Sequence, residues 1–198
     1  MSKTGRPREF NFETALNRAI DAFYAKGYEA TTLDDLTTAM EIKRPSLYAS
    51  FGNKEALFLQ ALQRYGERSA LEAQTILNSQ SDTQKAVEAF LYLTAEWHVQ
   101  RSQMMGCLIA NSSSDCREEQ SNICKHIQQL HQKNEEILFQ RLQRGIESGE
   151  LPPDIDTRGL AQFFYGVTQG MAVLARGQRN PEAIWNMAKF AMQAWPNS

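Results

Sequence analysis

Long apolar runs, clustered cysteines and an excess of either charge are all missing from this 198-residue chain. Each absence removes a class of protein. No stretch approaches the roughly 20 apolar residues that a bilayer-spanning helix needs, and the polar N-terminus lacks the pattern of a signal peptide, so a cytoplasmic address is expected. The cysteines number three, Cys107, Cys116 and Cys124, an odd set without a C-x-x-C pair, in keeping with reduced thiols. With His126 and His131 nearby they still fit no familiar zinc spacing, so neither a metal nor another cofactor is expected; His131 and Lys125 read as a solvated helix face. A formal net charge of −2, from 21 Lys+Arg against 23 Asp+Glu, excludes a protein that holds nucleic acid by bulk charge. Signature motifs of enzymes are missing too. There is no G-x-S-x-G, P-loop or G-x-G-x-x-G, and no carboxylate pair or Ser/His/Asp set stands apart from ordinary surface charge.

What is present is helical periodicity from end to end, with no convincing strand alternation and no internal repeat. At 42% hydrophobic the chain can build one good core or two small lobes. Thr31 to Glu55, TTLDDLTTAMEIKRPSLYASFGNKE, reads as two short helices joined by a tight turn. The first opens on Thr31 or Thr32, whose hydroxyl can cap free backbone N–H groups, with Asp34 and Asp35 favoured by the helix dipole. Leu33, Leu36 and Met40 fall on one buried face. The chain turns near Met40-Glu41, and a second helix follows from Lys43 to Tyr48, with Pro45 in its first turn. Leu47 anchors that helix inward, which leaves Lys43, Arg44, Pro45, Ser46 and Tyr48 on the outer face, where they can meet a groove and its phosphates. Ahead of the pair, Phe12, Leu16, Ala19, Ile20 and Phe23 predict a helix from Asn11 to Lys26, closed by Gly27. The leading segment Lys3 to Arg8, which includes Arg6, is either a minor-groove arm or an ordinary solvated tail. Charge placement agrees weakly: Met1 to Arg64 holds 9 Lys+Arg against 8 Asp+Glu, and the remainder 12 against 15.

This first third of the chain resembles the N-terminal domain of the TetR/AcrR family of bacterial one-component transcriptional repressors. Phe23 with Gly27-Tyr28 resembles the family's aromatic end to helix 1 and its glycine turn. Thr31-Thr32 resembles the capped start of helix 2, and Leu47-Tyr48, Phe51 and Lys54-Glu55 resemble the end of the recognition helix and the lysine after it. The resemblance implies that Thr32, Tyr48 and Lys54 hold phosphates while Lys43, Arg44, Pro45 and Ser46 lie against base edges. One departure stands out. Family members usually carry glycine in the helix 2 to helix 3 turn, and this chain has Glu41, which in a left-handed backbone costs roughly 1 kcal/mol.

From Asn53, as N-cap, a helix some 40 Å long should run toward Ser79, followed by helices over Asp82–Arg101, Glu118–Ser148, Asp156–Arg176 and Pro181–Trp195. The expected fold is therefore all-α: a three-helix helix-turn-helix domain over 1–52 and a helical bundle for ligand binding and dimerisation over 53–198. The final two helices are apolar on nearly all sides, Leu160 to Leu174 and Ile184 to Trp195. The resemblance implies that they pair with their copies in a homodimer, with Gly166 and Gly170 permitting close approach; the alternative is that they fill a monomer core. Two recognition helices about 34 Å apart then suit a palindromic operator in double-stranded DNA.

The family's ligand pocket lies inside such a bundle. Its candidates here are Tyr92, Trp97, His98, Met104, Met105, Cys107, Phe163, Phe164 and Met171, a soft aromatic and methionine-rich set suited to an apolar, flat or electrophilic effector, although residues of these types also build plain cores. Gly106-Cys107 interrupts helix and sets the thiol near the start of a short helix, resembling a Gly-Cys-Leu stretch of one branch of the family. That thiol is either a reactive switch or a buried, inert cysteine. The function expected is a ligand-responsive transcriptional regulator, a repressor released by a small molecule. The rivals are an effector-independent helical DNA-binding protein and, further off, a small helical enzyme.

Overall fold

The computed structural model describes residues 11–100, 106–113, 116, 121–177 and 180–196. Its elements are α1 (Phe12–Lys26), α2 (Leu33–Met40), α3 (Arg44–Phe51), α4 (Lys54–Asn78), α5 (Thr83–Gln100), α6 (Leu108–Ser113), α7 (Asn122–Glu147), α8 (Thr157–Gly177) and α9 (Pro181–Ala191), the last followed by a 3-10 turn over Met192–Ala194. No strand occurs among the described residues, and no described helix is long and apolar enough to cross a membrane. The chain divides into two compact units, one ending at Ala61 and one beginning at Leu62, so α4 starts in the first and continues in the second.

In the first unit the helix ends follow local rules. Asn11 caps α1 by accepting the Thr14 N–H at 2.9 Å. Thr32 caps α2 in a reciprocal box, its hydroxyl accepting the Asp35 N–H at 3.1 Å while the Asp35 carboxylate accepts the Thr32 N–H at 2.9 Å. These bonds, together with Lys26 at 2.6 Å, hold the Asp35 carboxyl down to about 2, with Lys26 the largest influence. Behind them Leu16, Ile20, Phe23, Leu36, Leu47, Phe51, Leu57 and Phe58 are all buried. Phe58, from the first turns of α4, meets Phe23 edge-on at 4.7 Å and lies 4.7 Å from Tyr28, which explains why the unit extends to Ala61. Burial of each such side chain contributes roughly 1.5–3 kcal/mol.

The second unit is a bundle whose core is filled by Leu77, Val87, Leu91, Leu138, Leu142, Phe164, Met171 and Ile184, each almost fully buried. Arg141 is buried inside it at 5% exposure, yet it is fully served. Its Nε donates to the Leu77 carbonyl at 3.0 Å, and its remaining N–H groups reach the Ser81 carbonyl at 2.9 Å, the Gln80 carbonyl and the Thr83 hydroxyl. One side chain thus ties the α4–α5 connection to α7, an arrangement that is costly only if a partner is removed. The cysteine reading needs correction. Cys116 and Cys124 are joined in a disulfide with Cα atoms 5.6 Å apart, and Cys107 alone is free. The two are eight positions apart, a spacing that carries no C-x-x-C signal.

Candidate nucleic-acid interface and inner cavity

The α2–α3 turn closes tightly. The Ile42 N–H returns to the Thr37 carbonyl at 3.1 Å and the Glu41 N–H to Thr38 at 3.2 Å, which forces Glu41 into the left-handed region at φ 55, ψ 40. The backbone strain foreseen for a non-glycine residue is therefore present. The Glu41 carboxylate is drawn to Arg18 of α1 at 2.9 Å, so the acid does not stand as an unscreened charge on the helix-turn-helix. After the turn, Lys43 is the N-cap of α3, without a side-chain cap bond, and Pro45 takes the first turn. The helix runs one turn further than the predicted Tyr48, to Phe51, because Leu47 and Phe51 bury together and Gly52 ends it.

Lys43, Arg44, Pro45, Ser46 and Tyr48 share the exposed side of α3, Tyr48 at 50%. Thr32 is exposed at the head of α2. Thr31, the other residue at the expected head of α2 and so a candidate for the same surface, and Lys54 sit differently. Thr31 is fully buried, its hydroxyl donating to the Gly27 carbonyl at 2.5 Å, so it builds the turn after α1 and presents nothing to solvent. Lys54 is half-buried, with its Nζ 4.5 Å from the centre of the Tyr28 ring and 3.3 Å from the Glu29 carbonyl. Arg6 lies outside the described residues. Sequence reasoning gave Asp34 no part in the site; its carboxylate accepts from Arg44 at 2.8 Å, a pairing across ten residues that its place in the first turn of α2 did not signal.

Inside the second unit a cavity of about 80 Å³ is lined from α4, α5, α7, α8 and the Gly106-Cys107 corner. Gly106 is required there. Its φ is +80, and a Cβ would stand 2.6 Å from the Ala172 carbonyl oxygen, so only glycine lets the chain pass α8 and present Cys107 to the cavity. The Tyr65 hydroxyl donates toward the Cys107 sulfur at 3.7 Å. Trp97, His98 and Cys107 line the space as the sequence suggested. Tyr92, Phe163, Phe164 and Met171 do not. Tyr92 packs on Trp185, Phe164 and Met171 are wholly buried in the core, and Phe163 is 43% exposed at the surface. Met104 and Met105 fall outside the described residues.

Tyr165 and Asn134, polar residues that periodicity assigned to no site, complete the wall. Tyr165 offers its hydroxyl to His131 Nδ1 at 2.7 Å, and His131 Nε2 meets the Ser113 hydroxyl at 2.7 Å. Ser113 donates its own proton to the Ile109 carbonyl at 2.8 Å. With Ser113 donating to Ile109, the arrangement suits a neutral imidazole that donates from Nε2–H to Ser113 and accepts at Nδ1 from Tyr165. Burial holds the His131 pKa below its ordinary value and pushes the Tyr165 hydroxyl well above the usual tyrosine range, with Cys107 adding to the latter. The expected solvated His131 is thus corrected: it is part-buried at the centre of a hydrogen-bonded chain from Ser113 to Tyr165. Toward solvent, Arg68, Glu72 and Trp97 are shared between the cavity and a more open depression of about 450 Å³. Among the described residues no group of His, Cys, Asp and Glu is disposed to hold a metal ion.

A short helix-turn-helix with a polar outward face, joined in one chain to a helical bundle with an internal cavity, defines the class of helix-turn-helix transcriptional regulators. Comparison with known proteins gives the family. Residues 15–61 match the model of bacterial regulatory proteins of the tetR family, and residues 83–191 match the tetracyclin repressor-like C-terminal domain. The HTH-type transcriptional repressor ComR of Escherichia coli (strain K12) is 34% identical over 97% of this chain and 92% of its own length. Among solved structures, a cysteine-substituted form of the TetR family regulator CifR, in complex with 26-bp double-strand operator DNA, superposes with a TM-score of 0.89 at 33% identity, over 96% of this chain and all of that one. Escherichia coli NemR in its reduced form shares the fold, with a TM-score of 0.79 at 21% identity over 90% and 94% of the two chains. The chain belongs to the TetR family of transcriptional regulators.

Proposed function

We propose that the protein is a homodimeric repressor that seats α3 of each protomer in successive major grooves of a palindromic operator and is released when a small molecule occupies the cavity. The observation that carries this reading is the arrangement of α3: Leu47 and Phe51 fully inward, Lys43, Arg44, Ser46 and Tyr48 outward on one short, rigid helix. Within it, Lys43, Arg44, Pro45 and Ser46 read base edges, while Thr32, Tyr48, Lys54 and the Arg6 arm hold phosphate. Thr31 contributes by shaping the turn that carries Thr32. The domain limits follow function: residues 1–52 read DNA, and 53–198 bind ligand and dimerise, with α4 linking them.

Dimerisation is supported by the large apolar side chains left in solvent on α8 and α9, Phe163 at 43%, Val173 at 62% and Phe190 at 56% exposure. Gly166 adds space, since a Cβ there would meet nothing within 4 Å, whereas Gly170 serves the packing of α8 on α9, its Cβ position lying 2.6 Å from Met187 Cε. The effector is a compact, partly aromatic molecule with at least one hydrogen-bonding group. An 80 Å³ space admits few heavy atoms without side-chain movement, and drug-sized ligands fill roughly 300–1,000 Å³. Such movement is the route by which a ligand reaches α4, which contributes Tyr65, Arg68 and Glu72 to the wall. An electrophilic effector would bond to Cys107 through its thiolate, the Cys107 proton passing to the adduct. Selection from a random duplex library tests the reading: it should return an inverted repeat with half-sites about one helical turn apart. Enrichment of a single, asymmetric site, or of none, would overturn it.

A further inference from the structure

The carboxylate of Asp34 is an unexpected neighbour for a surface that meets DNA. It lies in the first turn of α2 at 78% side-chain exposure, within reach of the Arg44 side chain, and accepts from Arg44 Nη2 at 2.8 Å. The cap of α2 does not need it. That task belongs to Thr32 and Asp35, with Lys26 on the outer oxygen of Asp35. An exposed pair of this kind adds little stability, because solvent screens both ends. Its effect must therefore be sought in what Arg44 can do next.

We propose that Asp34 is a specificity-determining residue, a buttress that holds the Arg44 guanidinium for base edges and penalises its use on phosphate. The inference rests on the seating of α3 in the groove. A guanidinium has five N–H donors in a planar fork, and Asp34 takes one of them, on Nη2. Enough donors remain for a bidentate grip on the O6 and N7 of a guanine, so carboxylate and base edge are served together. A phosphate cannot be served so well. Either Arg44 leaves Asp34 behind as an unpaired anion, or the phosphate is drawn toward a carboxylate of like charge. Non-specific DNA, which is held through phosphates alone, bears that penalty in full. The rest of the unit points the same way: Asp35 engages Lys26 and Glu41 engages Arg18, so these two cations are also committed to acids before DNA arrives. Lys43, exposed at the N-cap of α3, has no acidic partner among the described residues and stays available to the base edges.

The test uses the full-length protein, a random-sequence duplex and the duplex selected from a random library, with affinity followed over a range of salt. Asp34→Ala should raise affinity for the random duplex by about fivefold. It should also steepen the slope of log affinity against log salt by about one, as Arg44 takes up a phosphate, and should flatten base preference opposite the head of α3. Asp34→Glu should restore the wild-type slope and preference, an outcome that a merely structural role would not predict. In an Arg44→Ala background, Asp34→Ala should lose most of its effect. An unchanged slope and unchanged site preference in Asp34→Ala, or a gain that persists undiminished without Arg44, would overturn the proposal while leaving α3 in the groove. Base preference and slope both unaffected by Arg44→Ala alone would remove the groove seating of Arg44 and the buttress with it. Thermal melting of each variant confirms that the fold is intact.

Discussion

The helix-turn-helix unit and the cavity-bearing bundle are both helical, but they assemble their working surfaces from different distances along the chain. In the first unit most of the contacts that shape the site join near neighbours, Asn11 to Thr14, Thr32 to Asp35, Lys26 to Asp35 nine residues on and Asp34 to Arg44 ten residues on, with Lys54 to Glu29, 25 residues apart, among the longer ones. In the second, Ser113 meets His131 across 18 residues, His131 meets Tyr165 across 34, and Tyr65 meets Cys107 across 42. A site made of caps and one tight turn is specified by a short stretch of sequence. A site made by packing distant helices depends on the whole bundle being right, and it can also be remodelled when the bundle moves.

The comparison can be broken most severely in the first unit's core. Phe58→Ala removes a fully buried ring from between Phe23 and Tyr28 and should cost about 3–5 kcal/mol, read as early thermal loss of DNA binding while far-UV ellipticity of the bundle persists. In the bundle, Arg141→Leu strands the Leu77 and Ser81 carbonyls and should cost about 2–3 kcal/mol in denaturant titration, a loss from non-local contacts alone. Thr32→Ala deletes one half of the capping box for about 1 kcal/mol, with the helix-turn-helix most affected. Glu41→Gly acts in the opposite direction. Relief of the left-handed backbone outweighs the exposed Arg18 pair, so stability should rise by a few tenths to about 1 kcal/mol.

Acid should separate the two units as well. His131 is neutral in the fold and its pKa is lowered by burial, so the unfolded chain takes up the proton first as pH falls. The stabilisation is fully present above the ordinary histidine value near 6.5 and declines as pH drops toward the lower folded value. Asp35 behaves likewise at far lower pH: its contribution is complete above the usual carboxylate range and is lost as pH falls through about 2. Between pH 6.5 and 5 the bundle should therefore weaken while the helix-turn-helix does not, and His131→Gln should reduce that slope, with His126, also lowered by burial, keeping its share, as followed by pH-dependent melting.

Legibility in the sequence tracks the same divide. The start of α1 at Asn11, its end before Gly27, the capped head of α2, the strained Glu41 turn and the outward face of α3 were all readable, because each depends on a residue type with a local backbone role. The lengths of α4, α5 and α8 were readable from periodicity and punctuation. The cavity was half-readable: Trp97, His98 and Cys107 are in its wall, but Tyr65, Asn134 and Tyr165 are too, and a polar residue inside a helix gives no periodic sign that it faces inward. His131 looked solvated for that reason. The Cys116–Cys124 bond and the full burial of Thr31 escaped for another: a spacing of eight does not specify a disulfide, and the burial of Thr31 depends on how the turn after α1 closes.

The most direct test of the central claim, that the bundle cavity governs a DNA-reading unit, is fluorescence anisotropy of the selected duplex titrated with wild-type protein and with Thr94→Phe. This substitution fills the cavity from α5 without touching the first unit. Each titration is run with and without a panel of small aromatic and electrophilic compounds. The account predicts equal operator affinity for both proteins, with one compound class releasing the wild type and failing to release Thr94→Phe. Release of both proteins by the same compounds at the same concentrations would contradict it.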